Sequence, residues 1–400
     1  MQTLGQAYTL FACASALFTI GFSLYSLHAA GCLLGRRPAA GKGRKDLPPI
    51  TLLKPVKGVD REMYANLASF LDQDYPRFQV VFCVQDPRDP ALAVLRRLRR
   101  DFCERVDIET VVSDGCIGCN PKINNLSNAA ALIRHDLILI ADSDVRVERD
   151  FLRGLVRVFD DPGVGLATCF YQSRCPSGLG ALLEALSVNT HFLPQTLAAV
   201  RGGLRFAMGA VMFVRRSAFE QIGGFLTMGK HLADDYVLGA AVQARGWRVE
   251  VVGPVVSSIP DDGSVAEHLR HLARWSSTIR LCRPAGYLGS GILHGFTFLL
   301  LDSLFQGAAP WKLELLALTA AVRVWTVGRI HCAYTGNPEI LRQLPLLPLA
   351  DVIQCCAWIA GLRPGRVHWR GAAYSVRGNG RLDSSPTASE RRREAAVITA

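Results

Sequence analysis

The stretch LILIADSDVR, Leu137 to Arg146, decides how this chain is read. Its first five residues are apolar, a run that suits a strand buried on both faces. The run ends in two aspartates separated by one serine, and carboxylates are costly to bury without partners. A core strand that delivers two of them to its end implies a polar rim with something to hold.

Outward from this strand, Pro49 to Pro260 alternate short apolar runs with helical stretches. ITLLKPV, FQVVFCVQD, VDIETVVSD, DLILIADSD and VGLATCFYQ read as strands, whereas DPALAVLRRLRRDF carries apolar residues at helical spacing. Such alternation predicts an α/β domain with a doubly wound sheet, whose ligands lie at the carboxyl ends of the strands. Asp86 and Asp142 each follow a predicted strand and fall on that rim.

The flanks differ. Ala7 to Leu34 contain no charged residue, His28 aside, and are long enough to cross a bilayer. They lack a basic leader and read as a retained anchor. RRPAAGKGRK follows, with five Lys or Arg in ten residues, which by the positive-inside rule puts the next domain in the cytoplasm. After Arg283 the chain turns apolar again in three stretches. GYLGSGILHGFTFLLLDSLF and LRQLPLLPLADVIQCCAWIAGL suit spans; KLELLALTAAVRVWTVG, with Lys312, Glu314 and Arg323, could span or lie at the interface. The organisation predicted is an anchor at 1–35, a basic linker at 36–48, a catalytic domain at 49–283, a membrane region of two to three segments at 284–365 and a basic, partly disordered tail at 366–400.

Composition agrees with a membrane protein: 50% of residues are hydrophobic and only 20% charged, and the mean hydropathy is positive. The net charge of +11 is spread over Arg36–Lys45, Arg96–Arg100 and Arg363–Arg370 without interleaved aromatics, so it points to anionic lipid and not to nucleic acid. Most of the twelve cysteines sit in apolar contexts, as in a reducing compartment, and Cys116 and Cys119 have no second pair at zinc spacing.

An Asp-x-Asp at a strand end offers hard oxygens suited to Mg²⁺ or Mn²⁺, which can bridge a diphosphate. Asp142 and Asp144 could equally cap the helix beginning near Arg149. HLADDYVLGAAVQARGW sets Asp234 and Asp235 at a helix start, where carboxylates are favoured by the dipole. HLARWSSTIR sets Arg274, able to clamp phosphate, beside Trp275, able to stack on a sugar or base.

Taken in order, LLKPVKGVD, CVQDPRDPA, NPKINNL, ADSDVRV, THFLP, LADDY, ARGWR and ARWSSTIRL resemble the ceramide glucosyltransferase family, inverting transferases of GT-A fold, over about Leu52 to Leu281. The resemblance implies Asp86 near the nucleotide, Asp142 and Asp144 on metal and diphosphate, Lys122 as a donor-side cation, Asp235 as general base, and roles in activity for His191, Arg274 and Trp275. The family's last motif begins with Gln or Arg where this chain has His271.

The implied reaction moves a sugar from a UDP-sugar, with Mg²⁺ or Mn²⁺, to a lipid hydroxyl at a membrane, the bacterial inner membrane being the expected place. Bacterial hopanoid-associated glycosyltransferases resemble the same family and imply UDP-N-acetylglucosamine and a bacteriohopanepolyol instead of ceramide. Two other readings remain: a processive polysaccharide synthase, for which the spans look too few, and a non-catalytic membrane scaffold.

Overall fold

The computed structural model describes residues 2–35, 47–174, 178–261, 263–363, 366–369, 372–376 and 380–384. The basic cluster Arg36–Lys45 and residues 385–400 lie outside them.

The central domain is built on eight strands: β1 (Ile50–Pro55), β2 (Phe78–Val84), β3 (Asp107–Val112), β4 (Leu137–Ala141), β5 (Val145–Arg146), β6 (Val164–Ser173), β7 (Val211–Arg215) and β8 (Arg248–Ser258). Their order in the sheet is β3-β2-β1-β4-β7-β6-β8-β5. The first four run parallel, as a doubly wound sheet requires. β7 then enters antiparallel between β4 and β6, so the sheet as a whole is mixed. Because both faces are covered, the strands read as nearly continuous apolar runs. Leu52, Val80, Leu139 and Phe213 enter one core, while Leu53, Val81, Ile138 and Met212 enter the other.

The five strands named from the sequence are β1, β2, β3, β4 and β6. The order of the parallel half matters for function: β1 lies between β2 and β4, so the chain leaves the sheet in opposite directions from β1 and β4, opening a crevice at their carboxyl ends.

Of the helices among the described residues, those that bear on the site and its surroundings are α1 (Gln2–Leu34), α2 (Pro121–Ser127), α3 (Asp234–Ala244), α4 (Val265–Cys282), α5 (Pro284–Gln306), α6 (Pro310–Ile330) and α7 (Leu347–Gly361). α5 is a helical run with a tighter turn at Ser290–His294. α1, α5 and the stretch Leu344–Gly361 are long and apolar enough to cross a membrane. α4 begins with a reciprocal cap: Ser264 Oγ accepts from Glu267 N–H at 3.2 Å, and Glu267 Oε2 accepts from Ser264 N–H at 2.7 Å. Such a cap contributes about 1 kcal/mol and fixes where the helix carrying Arg274 and Trp275 starts.

Three short strands lie within the stretch expected to be a basic, partly disordered tail. Arg366–Trp369, Ala372–Val376 and Leu382–Ser384 form a small antiparallel sheet. Leu382 N–H donates to Lys230 O at 2.7 Å, and the Leu382 side chain is buried. Main-chain pairing of this kind needs no side-chain periodicity.

Candidate active site

The site is assembled on the rim where β1 and β4 end. The Asp142 N–H donates to Ala210 O at 3.3 Å, and Ile259 N–H donates to Asp144 O at 2.9 Å, so both aspartates are held by neighbouring strands and do not cap the following helix. Asp150 stands at that helix's cap position.

Lys122 reaches the same point from a short helix whose start is fixed by Asn120. The Asn120 Oδ1 accepts from Lys122 N–H and Ile123 N–H at 2.9 and 3.1 Å, and its Nδ2 donates to His231 O at 2.9 Å. That last bond brings the start of α2 beside the start of α3. Lys122 Nζ consequently lies 2.7 Å from Asp142 Oδ1 and 3.3 Å from Asp234 Oδ2. Burial opposes its charge, but Asp142 and Asp234 outweigh burial and raise its pKa. Lys122 is therefore the counter-charge of an acidic cluster, not a solvated loop lysine.

A second cation was not singled out by sequence reasoning. Lys54, fully buried on β1, donates from Nζ to Asp142 O at 2.7 Å and sits 3.4 Å above the Phe70 ring centre. Burial lowers its pKa to about 7 against the pull of Asp144 and Asp142. The available signal was a charge in the otherwise apolar strand ITLLKP.

The two adjacent acids of α3 are divided by the helix geometry. Asp234 is buried against Lys122, whereas Asp235 accepts from Tyr236 N–H at 2.7 Å and lies beside Gly209. A Cβ on Gly209 would stand 3.3 Å from Asp235 Oδ2 and 3.8 Å from Asp142 Oδ2, so the glycine leaves a cradle between these carboxylates. Burial, then Asp234, raise the Asp235 pKa while Lys122 pulls it back. Asp144 accepts from Ser258 Oγ at 3.0 Å, and burial followed by the field of Asp142 raises its pKa.

A divalent cation fits this chemistry. Lys122 occupies one oxygen of Asp142 and Lys54 acts on Asp144, yet burial and the repulsion between the two carboxylates still raise the Asp144 pKa, a field that a divalent cation would relieve. Among the described residues no three His, Cys, Asp or Glu side chains converge on one point. Two carboxylates with water and donor phosphates completing the shell is the ordinary Mg²⁺ arrangement.

A family model described as "Glycosyl transferase family 21" matches residues 9–382. The chain belongs to glycosyl transferase family 21. Ceramide glucosyltransferase 3 of Caenorhabditis elegans is 25% identical over 261 residues, 64% of this chain and 57% of that one. The ceramide glucosyltransferase of Komagataella phaffii is 38% identical over 114 residues, 26% of this chain and 22% of that one. The chain thus spans about half the length of the curated relatives it matches first. Among solved structures, a mannosyltransferase from Pyrobaculum calidifontis in complex with GDP-Man and Mn²⁺ has a TM-score of 0.52 at 17% identity, covering 89% of this chain and 99% of that one, a likeness of fold. The sheet of this family 21 member is accordingly the GT-A arrangement.

The remaining residues singled out from the sequence are placed as follows in this family 21 chain. Asp86 stands past the end of β2 and makes its bonds within its own loop, accepting from Arg88 N–H at 2.8 Å, which lowers its pKa. Trp275 is half-buried on α4, edge-on to His271 at 4.5 Å between ring centres and 6.2 Å from Phe192. Phe192 in turn packs on Tyr171 at 4.7 Å. Burial raises the Tyr171 pKa, and the charges of Asp235 and Asp144 add to it. Arg274 is half-buried one residue before Trp275. His271 Nδ1 lies 3.5 Å from Glu184, and hydrogen bonds from His268 and His271 overcome burial to hold the Glu184 pKa at about 2.

His191 is not part of the acidic cluster. Its Nδ1 is 2.8 Å from Thr190 Oγ, and its Nε2 is 2.9 Å from Asp351 and 3.3 Å from Arg323. The side chain turns toward α6 and α7 and joins the central domain to them.

Proposed function

We propose that this chain is a membrane-bound inverting glycosyltransferase that moves a sugar from a UDP-sugar to a lipid hydroxyl, as a ceramide glucosyltransferase would. The observation that carries the reading is the acidic rim of Asp142, Asp144 and Asp235 beside three apolar helices. In this reading Asp235 takes the proton of the acceptor hydroxyl as its oxygen attacks the anomeric carbon. The bond from that carbon to the diphosphate breaks, and UDP leaves with the electron pair. A divalent cation, Mg²⁺ or Mn²⁺, held by Asp144 and Asp142 would supply charge neutralisation at the diphosphate. Arg274 adds positive charge on the leaving group, Asp86 lies on the nucleotide side, and Trp275 stacks at the sugar. Lys122 and Lys54 hold the Asp142 segment in place. The catalytic domain belongs on the cytoplasmic face, where UDP-sugars are made, and the membrane presents the acceptor at headgroup level.

The curated relatives favour ceramide as acceptor; a hopanoid polyol is the alternative within the same mechanism. Purified full-length protein incubated with a UDP-sugar panel, Mn²⁺ and either ceramide or a bacteriohopanepolyol decides it. Product mass should rise by one hexose on ceramide. A product only on the hopanoid, heavier by one N-acetylhexosamine, would replace the ceramide reading, and no glycolipid from any pair would remove the enzyme reading.

A further inference from the structure

Hydropathy selects α1, α5 and the α7 region as spans and passes over α6. The contacts among these helices lead to a different assignment. α5 runs antiparallel to α1: Gly5 abuts Gln306, Thr9 Oγ donates to Asp302 at 2.8 Å, and Ser15 Oγ donates to Ile292 O at 2.6 Å. α6 then returns alongside α1. It starts with Lys312, 2.7 Å from Asp302, and leads to Tyr334, whose hydroxyl lies against Gly31. At its end it docks on the catalytic domain, with Thr335 Oγ donating to Gln172 Oε1 at 2.7 Å and His331 Nε2 3.0 Å from Asn189 O.

The charges that exclude α6 by composition are accommodated. Lys312 is buried on Asp302, and Arg323 is buried with its Nη2 2.6 Å from Asp351. Glu314 and Arg329 are exposed but near opposite ends of the helix, where such groups reach the interface. At 21 residues α6 is about 31 Å long, enough for the hydrocarbon core.

α7 continues a tighter turn from Leu344, an 18-residue run of about 28 Å whose length alone admits a span, so the contacts at its two ends decide. Its start packs with Val327 and Leu344, near the catalytic end of α6. Its end is held by Tyr287, whose hydroxyl donates to Trp358 O at 2.6 Å, and by Arg280, whose Nε donates to Gly361 O at 2.7 Å. Tyr287 belongs to the catalytic end of α5, and Arg280 to α4. Both ends of α7 are therefore tied to the same end of the bundle. The chain beyond α7 agrees, since Leu232 N–H donates to Gly380 O and Leu382 N–H to Lys230 O, both bonds reaching the catalytic domain. Arg363, Arg366 and Arg370 follow α7 in sequence, a basic flank of the kind kept on the cytoplasmic side.

We propose that α1, α5 and α6 are the membrane spans and that α7 lies along the membrane interface on the catalytic side, with its exposed Leu349 and Ile359 directed to lipid. Its partner is the headgroup and acyl boundary of the bilayer. Together with α4 it forms a floor against the leaflet that the catalytic domain faces. The inference rests on the reading of the chain as a membrane protein, not on its chemistry.

The test places one protease site at a time in the full-length chain, after Gly41, Ala308, Gly336 or Ser385, in sealed vesicles of each orientation. Sites after Gly41, Gly336 and Ser385 should be cut from one face, and that after Ala308 only from the other. Cutting at Ser385 from the face that cuts at Ala308 would make α7 a span and overturn the inference. Should an insertion prevent folding, an epitope tag at the C-terminus of the otherwise unaltered chain gives the same decision by antibody access. Transfer activity measured on the same vesicles reports separately on the proposed reaction.

Discussion

Asp235→Asn should separate catalysis from stability. Burial and the neighbouring Asp234 raise the Asp235 pKa, so ionising this group costs folding free energy. The sign follows from linkage: its stabilising effect is complete below the unfolded pKa of about 3.9 and is lost as pH rises through the higher folded value. Each tenfold change in acidity is worth about 1.4 kcal/mol, and the side chain is partly open to solvent, so removing the charge should stabilise the fold by on the order of 1–2 kcal/mol near neutral pH. The amide keeps the shape and can still accept from Tyr236 N–H. A positioned base supplies roughly 10²- to 10⁴-fold in rate, and that factor should disappear. Asp234→Asn should do the reverse, because Lys122 then loses one of its two carboxylates in a buried site, at a cost of about 3 kcal/mol. Thermal unfolding in detergent and transfer to lipid, measured on both variants, test this directly. An Asp235→Asn protein that unfolds more easily than the parent, or transfers within tenfold of it, would show that the carboxylate is structural and the base assignment wrong. In the parent enzyme kcat/KM should fall with decreasing pH through a value above the ordinary carboxylate range.

Gly209→Ala should fold normally, since Gly209 has no left-handed φ, yet its methyl would fill the cradle 3.3 Å from Asp235 and reduce transfer about a hundredfold; near-native kinetics would show that nothing passes there. Glu184→Gln should lose about 2–3 kcal/mol at pH 7, because a carboxyl held at about 2 stabilises the fold above its unfolded pKa of about 4.3. That difference should shrink as pH falls below about 4 and vanish through about 2, as followed by denaturant titration. Asp144→Asn, or EDTA on the parent, should abolish metal-dependent UDP binding by calorimetry, while the variant unfolds no more easily than the parent.

What could be read from the sequence depended on how local its cause was. Asp142 and Asp144 were legible because a run of five apolar residues fixes a strand and the strand's end fixes where they point. Asp234 and Asp235 were legible as a helix start, but their division of labour was not, since it depends on Lys122, more than a hundred residues earlier, being carried to them by Asn120 and His231. Lys54 became a buried cation only because β1 is flanked by β2 and β4, a pairing that no window of sequence contains. Resemblance marked His191 as important, yet its partners, Asp351 and Arg323, lie in helices outside the resembling stretch.

The membrane region makes the same point with the opposite sign. A hydropathy window counts charges, whereas a bilayer penalises those left without partners. α6 fails the first criterion through Lys312, Glu314, Arg323 and Arg329; against the second, Lys312 and Arg323 are paired with Asp302 and Asp351, and Glu314 and Arg329 stand exposed near the helix ends. Asp302 and Asp351 themselves sit in two of the three segments that pass the window, so those two carry the acids that pair with the charges of α6. Arg323 and Asp351 also meet His191, which means that the pair neutralising α6 is the same contact that fixes α7 to the central domain. In the proposed arrangement, neutralising α6 and tying α7 to His191 are one interaction, and a substitution at Asp351 should disturb both together.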